Sequence, residues 1–374
     1  MSSLKKTIIL STVVSAWLSI AAPVFAAAVS EVKPPLILGI AQTHRDENAH
    51  AEIEKAVVNA VSIKTARVKD LIPQLAGLPN RVVQDKLNRW LMQLGTTVQG
   101  VVTDSSKPLT INTLPSDVTY DSNFNVLFRA GNILEIMFSS YYMQQQAAHG
   151  LPGLVIAIMD LQTGRVFTMQ DLFRPGSPYL KQISQLIIQM DTIHELDAFH
   201  KFTGVTLKDG FFLTPTGFTI YFYPYEWTPY FPMFSIPYTK VTNLLNTSGP
   251  LWRALQTPAA KQAANDMKQD EHFLQARGFD SNRWLWQAQA QTADGQTLYA
   301  WNVSSGSTGS LNQVYFFLGH RYLGTDTLLP HKPITNIYGS GHSIVVDYGN
   351  FTIHFTWNGS RLQLNRPFPA HYVQ

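Results

Sequence analysis

The spacing of apolar positions changes period several times along the chain. In "LPNRVVQDKLNRWLMQL" the residues Val83, Leu87, Trp90, Leu91 and Leu94 recur at three- and four-residue intervals behind Pro79-Asn80, which predicts a capped helix with one core-facing side. "NFNVLFRAGNILEIMFSSYYM" is two β-rich runs broken at Ala130-Gly131-Asn132, a hairpin pattern. A further strand over Leu154 to Asp160 runs into the turn "DLQTGR". "SPYLKQISQLIIQM" returns to helical spacing, with Ser177 as cap, Pro178 in the first turn, and Leu180, Ile183, Ile187 and Met190 in register. "FFLTPTGFTIYFY" is a second hairpin, through Pro215-Thr216-Gly217. Hairpins with helices between them predict an antiparallel α+β domain.

A change comes at "NTSGP", Asn246 to Pro250. Leu251 to about Gly278 has helical spacing, and the remainder is short strands separated by Gly, Ser and Asn turns. In "FTIHFTW" Phe351, Ile353 and Phe355 alternate with Thr352, His354 and Thr356, as a strand with one buried face requires. The expected organisation is therefore a signal segment over 1–26, a linker and helix start over 27–57, an α+β module over 58–246 and a smaller β-rich domain over 251–374, the last two with separate cores.

The chain of 374 residues is 45% hydrophobic and 14% charged, enough apolar material for a sizeable core. It has no cysteine, so stability must come from packing. Lys5 and Lys6 precede an apolar run from Thr7 to Ala22 and a small-residue exit around Val24 and Ala26, the pattern of a secretory signal too short to span a bilayer. Without that segment 26 basic residues face 25 acidic ones. A near-neutral mature chain does not predict nucleic-acid binding. The expected location is secreted or extracytoplasmic, free or wall-associated, with no transmembrane segment once the signal is removed.

Motifs for chemistry are sparse. There is no HExxH, G-x-S-x-G, Walker loop, GxGxxG or EF-hand pattern, and no catalytic residue, cofactor or metal ligand is assigned. Asp160, Asp171, Asp191, Glu195, Asp197 and Glu226 are the carboxylates to consider for acid–base work, and as isolated residues they fit turns and caps. The most unusual stretch is "FYPYEWTPYFPMFSIPYTKV", with eight aromatics and four prolines around Glu226. Its prolines forbid a long helix, and it has more rings than one strand can bury on one face. It reads as a strand end plus a wrapped aromatic loop. Trp227 and Tyr230 are expected to be exposed there, and Tyr225, Glu226, Trp227, Tyr230 and His149 are the ligand-binding candidates. Glu226, a carboxylate among rings, needs a partner, and His149 is expected to supply it.

Four stretches, "LIPQLAGLPNRVVQDKLN", "AAHG", "DLQTGRVFTMQDLF" and "FFLTPTGFTIYFYPYEWTPYFPMFSIPY", resemble one bacterial extracellular module of unknown function. It is shared by the lysozyme-sensing anti-sigma factor RsiV and the peptidoglycan deacetylase PdaC, and the resemblance runs over roughly residues 58 to 246. It implies binding of peptidoglycan or of a wall-directed protein such as lysozyme. The deacetylase's Asp-Asp and His-x-x-x-His motifs have no counterpart here. The C-terminal "VYFFLGHRYLGTDTLLPHKPI", "SIVVDYG" and "FTIHFTWNGSRL" resemble the LppP/LprE family of actinobacterial envelope lipoproteins, without their anchoring cysteine. The alternatives to a binding module are an envelope hydrolase or deacetylase built on the carboxylates and histidines above, and a purely structural secreted protein.

Processing is directly testable: N-terminal sequencing of the exported protein should start just after Ala26, and retention of Lys5 would overturn the signal assignment.

Overall fold

The computed structural model describes residues 53, 55–99, 108–192, 194–197, 201–228, 231–279, 284–305, 311–328, 330–331 and 334–369. The expected signal segment and nearly all of the linker lie outside the described residues, as does Tyr230.

Strands β1 (Val57–Lys64), β2 (Val68–Ala76), β3 (Val118–Ala130), β4 (Ile133–Gln144), β5 (Leu151–Asp160) and β6 (Val166–Phe167) form a six-stranded sheet in sequence order. All neighbours are antiparallel except β2 and β3, which meet in parallel over three residues. The hairpin at Gly131-Asn132 is as the sequence predicts. β1 and β2 are not anticipated by the sequence pattern, because Pro73 within β2 argues against a central strand. Pro73 is tolerated because β3 pairs only with Val68 to Asp70, leaving this part of β2 an edge. Helix α1 (Arg81–Thr96) covers that edge. Its Asn88 side chain accepts from Leu75 N at 2.7 Å and donates to Leu75 O at 2.9 Å, replacing the missing strand. Asn80 caps α1 by accepting from Val82 N and Val83 N. Val83, Leu87, Leu91 and Leu94 are buried as their spacing requires, with Trp90 at the margin.

The other face of this sheet receives short helices α2 (Met169–Leu172) and α3 (Tyr179–Met190) and a three-stranded sheet of β7 (Gly210–Thr214), β8 (Gly217–Tyr221) and β9 (Met233–Pro237). Pro178 takes the N-cap position of α3, and Ser177 instead turns its hydroxyl to Arg174 O at 2.7 Å. Past Asn246 the single helix read from the sequence is two, α4 (Pro250–Leu255) and α5 (Pro258–Gln275). Pro258 lacks the N–H to continue α4, and Thr257 caps α5 by accepting from Ala260 N at 3.2 Å.

Two four-stranded antiparallel sheets follow. One comprises β10 (Trp284–Gln291), β11 (Thr297–Ser305), β12 (Leu311–Leu318) and β13 (Arg321–Thr325); the other comprises β14 (Asn336–Ser340), β15 (Ser343–Asp347), β16 (Thr352–Trp357) and β17 (Leu362–Leu364). Within the β10–β13 sheet, β11 and β12 are buried on both faces. Leu298, Ala300, Val314 and Phe316 pack against Ile344, Ile353 and Phe355 of the last sheet. Tyr299, Trp301, Val303, Tyr315 and Phe317 turn the opposite way and join the cluster formed by Phe218, Phe222, Leu244 and Leu251.

That cluster corrects the expectation of separate cores, since it draws residues from both sides of Asn246 to Arg253. Polar contacts join the two parts as well. A bulge between Val126 and Phe128 leaves Leu127 outside the β3–β4 pairing, and its carbonyl accepts from Gln287 Nε2 at 3.1 Å and Gln289 Nε2 at 2.7 Å. Gly341 N donates to Val58 O at 2.8 Å.

A shared core predicts one cooperative unfolding transition. Leu251→Ala, at a fully buried position, should lower that single transition by about 2–5 kcal/mol, and calorimetry showing two transitions with only one displaced would contradict it.

Candidate functional site

The carboxylates flagged in the sequence are mostly spent on local backbone. Asp160 accepts from Gln162 N and Thr163 N, and Asp171 completes a capping box with Thr168. Asp191 accepts from Glu195 N and Leu196 N, and Asp197 from Phe202 N. These are turn and cap roles.

The aromatic stretch turns inward. Tyr225 has a left-handed backbone, φ 67°, and its N–H donates to Thr228 O at 2.6 Å. This tight reversal buries Trp227, which lies edge-on to Phe202 with ring centroids 5.0 Å apart. The expected exposure of Trp227 is thereby corrected: it is a core residue, not a surface anchor. His149 does come to this loop, but its partner is Tyr225. Nδ1 lies 3.3 Å from the Tyr225 hydroxyl and 3.1 Å from Gly150 O, and the two rings stack at 5.8 Å. The contact expected between His149 and Glu226, direct or through one water, is not made as a direct hydrogen bond. Glu226 instead acts on Asp209, whose carboxyl is raised to about 7 by burial first and by the Glu226 charge in addition. Tyr225 and Glu226 are half-buried and His149 is exposed on the β4–β5 turn.

Glu135 is a second buried carboxyl of this region, fully enclosed on β4. Oε1 accepts from Leu213 N of edge strand β7 at 2.7 Å, and Oε2 has no hydrogen-bond partner. Burial raises its pKa to about 8.

The group of side chains best arranged to meet a ligand lies elsewhere, in a cleft of about 260 Å³ between α5, the β3–β4 turn and the start of β11. Asp266 of α5 is its acidic member. Its Oδ1 accepts from Gln262 Nε2 at 2.8 Å and lies 3.1 Å from His320 Nδ1, while Oδ2 takes no hydrogen bond. Gly319, φ 55°, closes the β12–β13 turn beside it, and a Cβ there would stand 3.4 Å from Oδ2, so glycine also keeps that oxygen clear. Tyr299 lines the cleft from β11, 1% exposed, with its hydroxyl enclosed near Thr297. Burial, reinforced by the Asp266 and Asp270 charges, holds that hydroxyl firmly protonated. Gln291, Gln296 and Thr297 add amide and hydroxyl groups to the wall.

One turn along α5, Asp270 is fully buried behind the cleft wall, receives Trp301 Nε1 at 3.2 Å and is raised to about 8 mainly by burial. The cleft thus offers one carboxylate oxygen without a hydrogen bond and several side-chain amides, with Arg129 also on its wall. Such a set makes paired donor and acceptor bonds to hydroxyl groups. None of these residues was singled out in the sequence. The available signal was the four-residue spacing of Gln262, Asp266 and Asp270, which puts polar groups beside the buried stripe of Ala263, Met267 and Leu274.

Among the described residues, no group of three or more histidines and carboxylates could hold a metal ion, and no helix is long and apolar enough to cross a membrane.

The molecule is an α+β protein, one segment of which is similar to a known family. Residues 170–239, from α2 through β9, match the family model described as a protein of unknown function, DUF3298. Among solved structures, a DUF3298 family member from Bacteroides fragilis is similar at 14% identity and TM-score 0.41, covering 54% of this chain and 97% of its own. A DUF3298 family protein from Pseudomonas aeruginosa is similar at 19% identity and TM-score 0.35, covering 51% of this chain and 94% of its own. No curated protein matches the chain.

The buried carboxyls set a pH dependence. Glu135 and Asp270 are protonated in the fold up to about pH 8 but ionise in the ordinary carboxylate range when unfolded. Their contribution to stability is complete in acid and is lost as pH rises toward 8. The melting temperature should therefore fall between about pH 5 and 8 and fall less steeply in Glu135→Gln; an unchanged slope in that variant would refute the assignment.

Proposed function

We propose that this protein is an extracytoplasmic, non-catalytic cell-envelope module that binds the glycan of the bacterial wall. The observation that carries this reading is the cleft at Asp266, where a carboxylate oxygen without a hydrogen bond stands among amide side chains. Sugars present adjacent hydroxyls that donate to one group and accept from another, which is what this wall supplies. A binding role is favoured over hydrolysis because the second carboxyl of the pair, Asp270, is behind the wall and bonded to Trp301. Two carboxyls facing across a bond would be needed for acid–base cleavage. The secretory pattern at the N-terminus and the resemblance to the RsiV and PdaC extracellular module support the envelope setting, as does the LppP/LprE-like pattern of the C-terminal strands. A wall-directed protein such as lysozyme is the competing ligand, for which the half-buried Tyr225 and Glu226 loop beside His149 is the surface to consider.

The full mature chain should sediment with purified peptidoglycan sacculi, and Asp266→Ala should weaken that binding by roughly tenfold or more while leaving the circular dichroism spectrum unchanged. Capture by immobilised lysozyme, equal for both proteins and without retention on sacculi, would replace the glycan by a protein partner.

A further inference from the structure

Beyond the cleft, α5 and β13 continue side by side. On α5 the residues Gln262, Asp266, Asp270 and Phe273 follow one another at three- and four-residue steps, so they share one stripe, and Arg277 follows in the turn just past the helix end. On β13 and the turn before it, His320 and Tyr322 are two residues apart and project to the same side. The two rows meet twice. His320 reaches Asp266 at the mouth of the cleft, and Tyr322 meets Phe273 with ring centroids 4.5 Å apart and planes inclined by 34°. The Arg277 guanidinium covers Phe273 at 3.4 Å from its centroid and lies 5.4 Å from that of Tyr322. Tyr322 is 37% exposed although Tyr315 and Phe317 also pack against it, with ring centroids at 6.1 and 5.6 Å.

We infer that Tyr322, with Phe273 and Arg277 behind it, is a second subsite of the same binding groove, and that the ligand is a glycan of at least two rings lying along α5. This rests on the glycan reading of the cleft. Seven residues separate Asp266 from Phe273, a rise of about 10.5 Å along the helix, which leaves room for a neighbouring ring beyond the one held at Asp266. The chemistry of the two ends differs in the way an extended sugar chain requires. The Asp266 end takes hydroxyls through directed hydrogen bonds, and the Tyr322 end offers an apolar ring face to the C–H face of a sugar, with Arg277 and the Tyr322 hydroxyl as donors at its edge. Arg277 also keeps Phe273 and Tyr322 in place through its position over their rings, so the platform is preformed. His320, exposed and bonded to Asp266, stands between the two ends and would contact both rings.

The test is calorimetric titration of the full mature chain with N-acetylglucosamine, its β-1,4-linked dimer and its tetramer. Wild type should bind the dimer more tightly than the single sugar. Tyr322→Ala should weaken the dimer and tetramer by on the order of tenfold and leave the single sugar unchanged, whereas Tyr322→Phe, which keeps the ring, should retain most of the gain. Asp266→Ala should weaken all three. If wild type binds the dimer no better than the single sugar, or Tyr322→Ala weakens both alike, the second subsite is refuted while the Asp266 cleft stands. If wild type binds none of the three, the cleft reading and this one fall together.

Discussion

Without cysteine, this chain has no disulfide to hold the six-stranded, three-stranded and two four-stranded sheets of its described residues together, and the constraint that organises it is an apolar cluster shared by three of them. Phe218 and Phe222 from the β7–β9 region, Leu251 and Met267 from the helices, and Trp301 and Phe317 from the C-terminal sheet belong to the same cluster. Because β11 and β12 present Tyr299, Trp301 and Phe317 to it and Leu298, Ala300 and Phe316 to the last sheet, they are buried on both sides. Strands in that position read as unbroken apolar runs, as "VYFFL" does, in place of the alternation expected of a sheet with one wet face. Each additional sheet is covered only if its neighbour is present, so folding of the parts is mutually dependent.

Sealing so many surfaces leaves polar groups inside, and the fold handles them in two ways. Backbone groups without a ladder partner are met by amide side chains: Leu75 by Asn88, and the bulged Leu127 by Gln287 and Gln289. Carboxyls that lack a cation become neutral. Glu135 and Asp270 each accept one hydrogen bond, from Leu213 N and from Trp301 Nε1, and burial raises both to about 8. A protonated carboxyl avoids most of the penalty of a buried charge. The raised pKa values are therefore consequences of how tightly the sheets close, and by themselves they do not mark chemistry.

Local pattern reports local structure well here and tertiary placement poorly. The α1 face, both hairpins and the alternation of β16 were legible because each depends on spacing within one element. Trp227 was misjudged because its burial depends on the φ of Tyr225 and on Phe202, neither of which leaves a periodic trace. The β1–β2 pair was hidden by Pro73, acceptable because β3 pairs only with Val68 to Asp70 and leaves that part of β2 an edge. Proximity of His149 to the aromatic loop was foreseen from two polar groups needing partners, yet the bond went to the Tyr225 hydroxyl next door. The Asp266 cleft was not legible at all. Its wall is assembled from α5, β11 and the turns flanking β3 and β12, far apart in sequence, and a lone aspartate in a polar helix looks like a solvated one.

Helix α5 is where the demands of the core and of the cleft are reconciled. Ala263, Met267 and Leu274 are buried in the shared cluster, which fixes the helix in position and rotation. With that face committed, the adjoining stripe from Gln262 through Asp266 to Phe273 can point only along the seam between the helix and the β11–β13 edge. The depth of each polar residue then follows from its angle around the axis. Asp270 lies nearest the core side and is closed off against Trp301; Asp266 keeps one oxygen clear beside Gly319; Phe273 and Arg277 reach the outer end with Tyr322. A site built this way is as rigid as the core that orients it, because moving Asp266 would require rotating Met267 and Leu274 out of their packing.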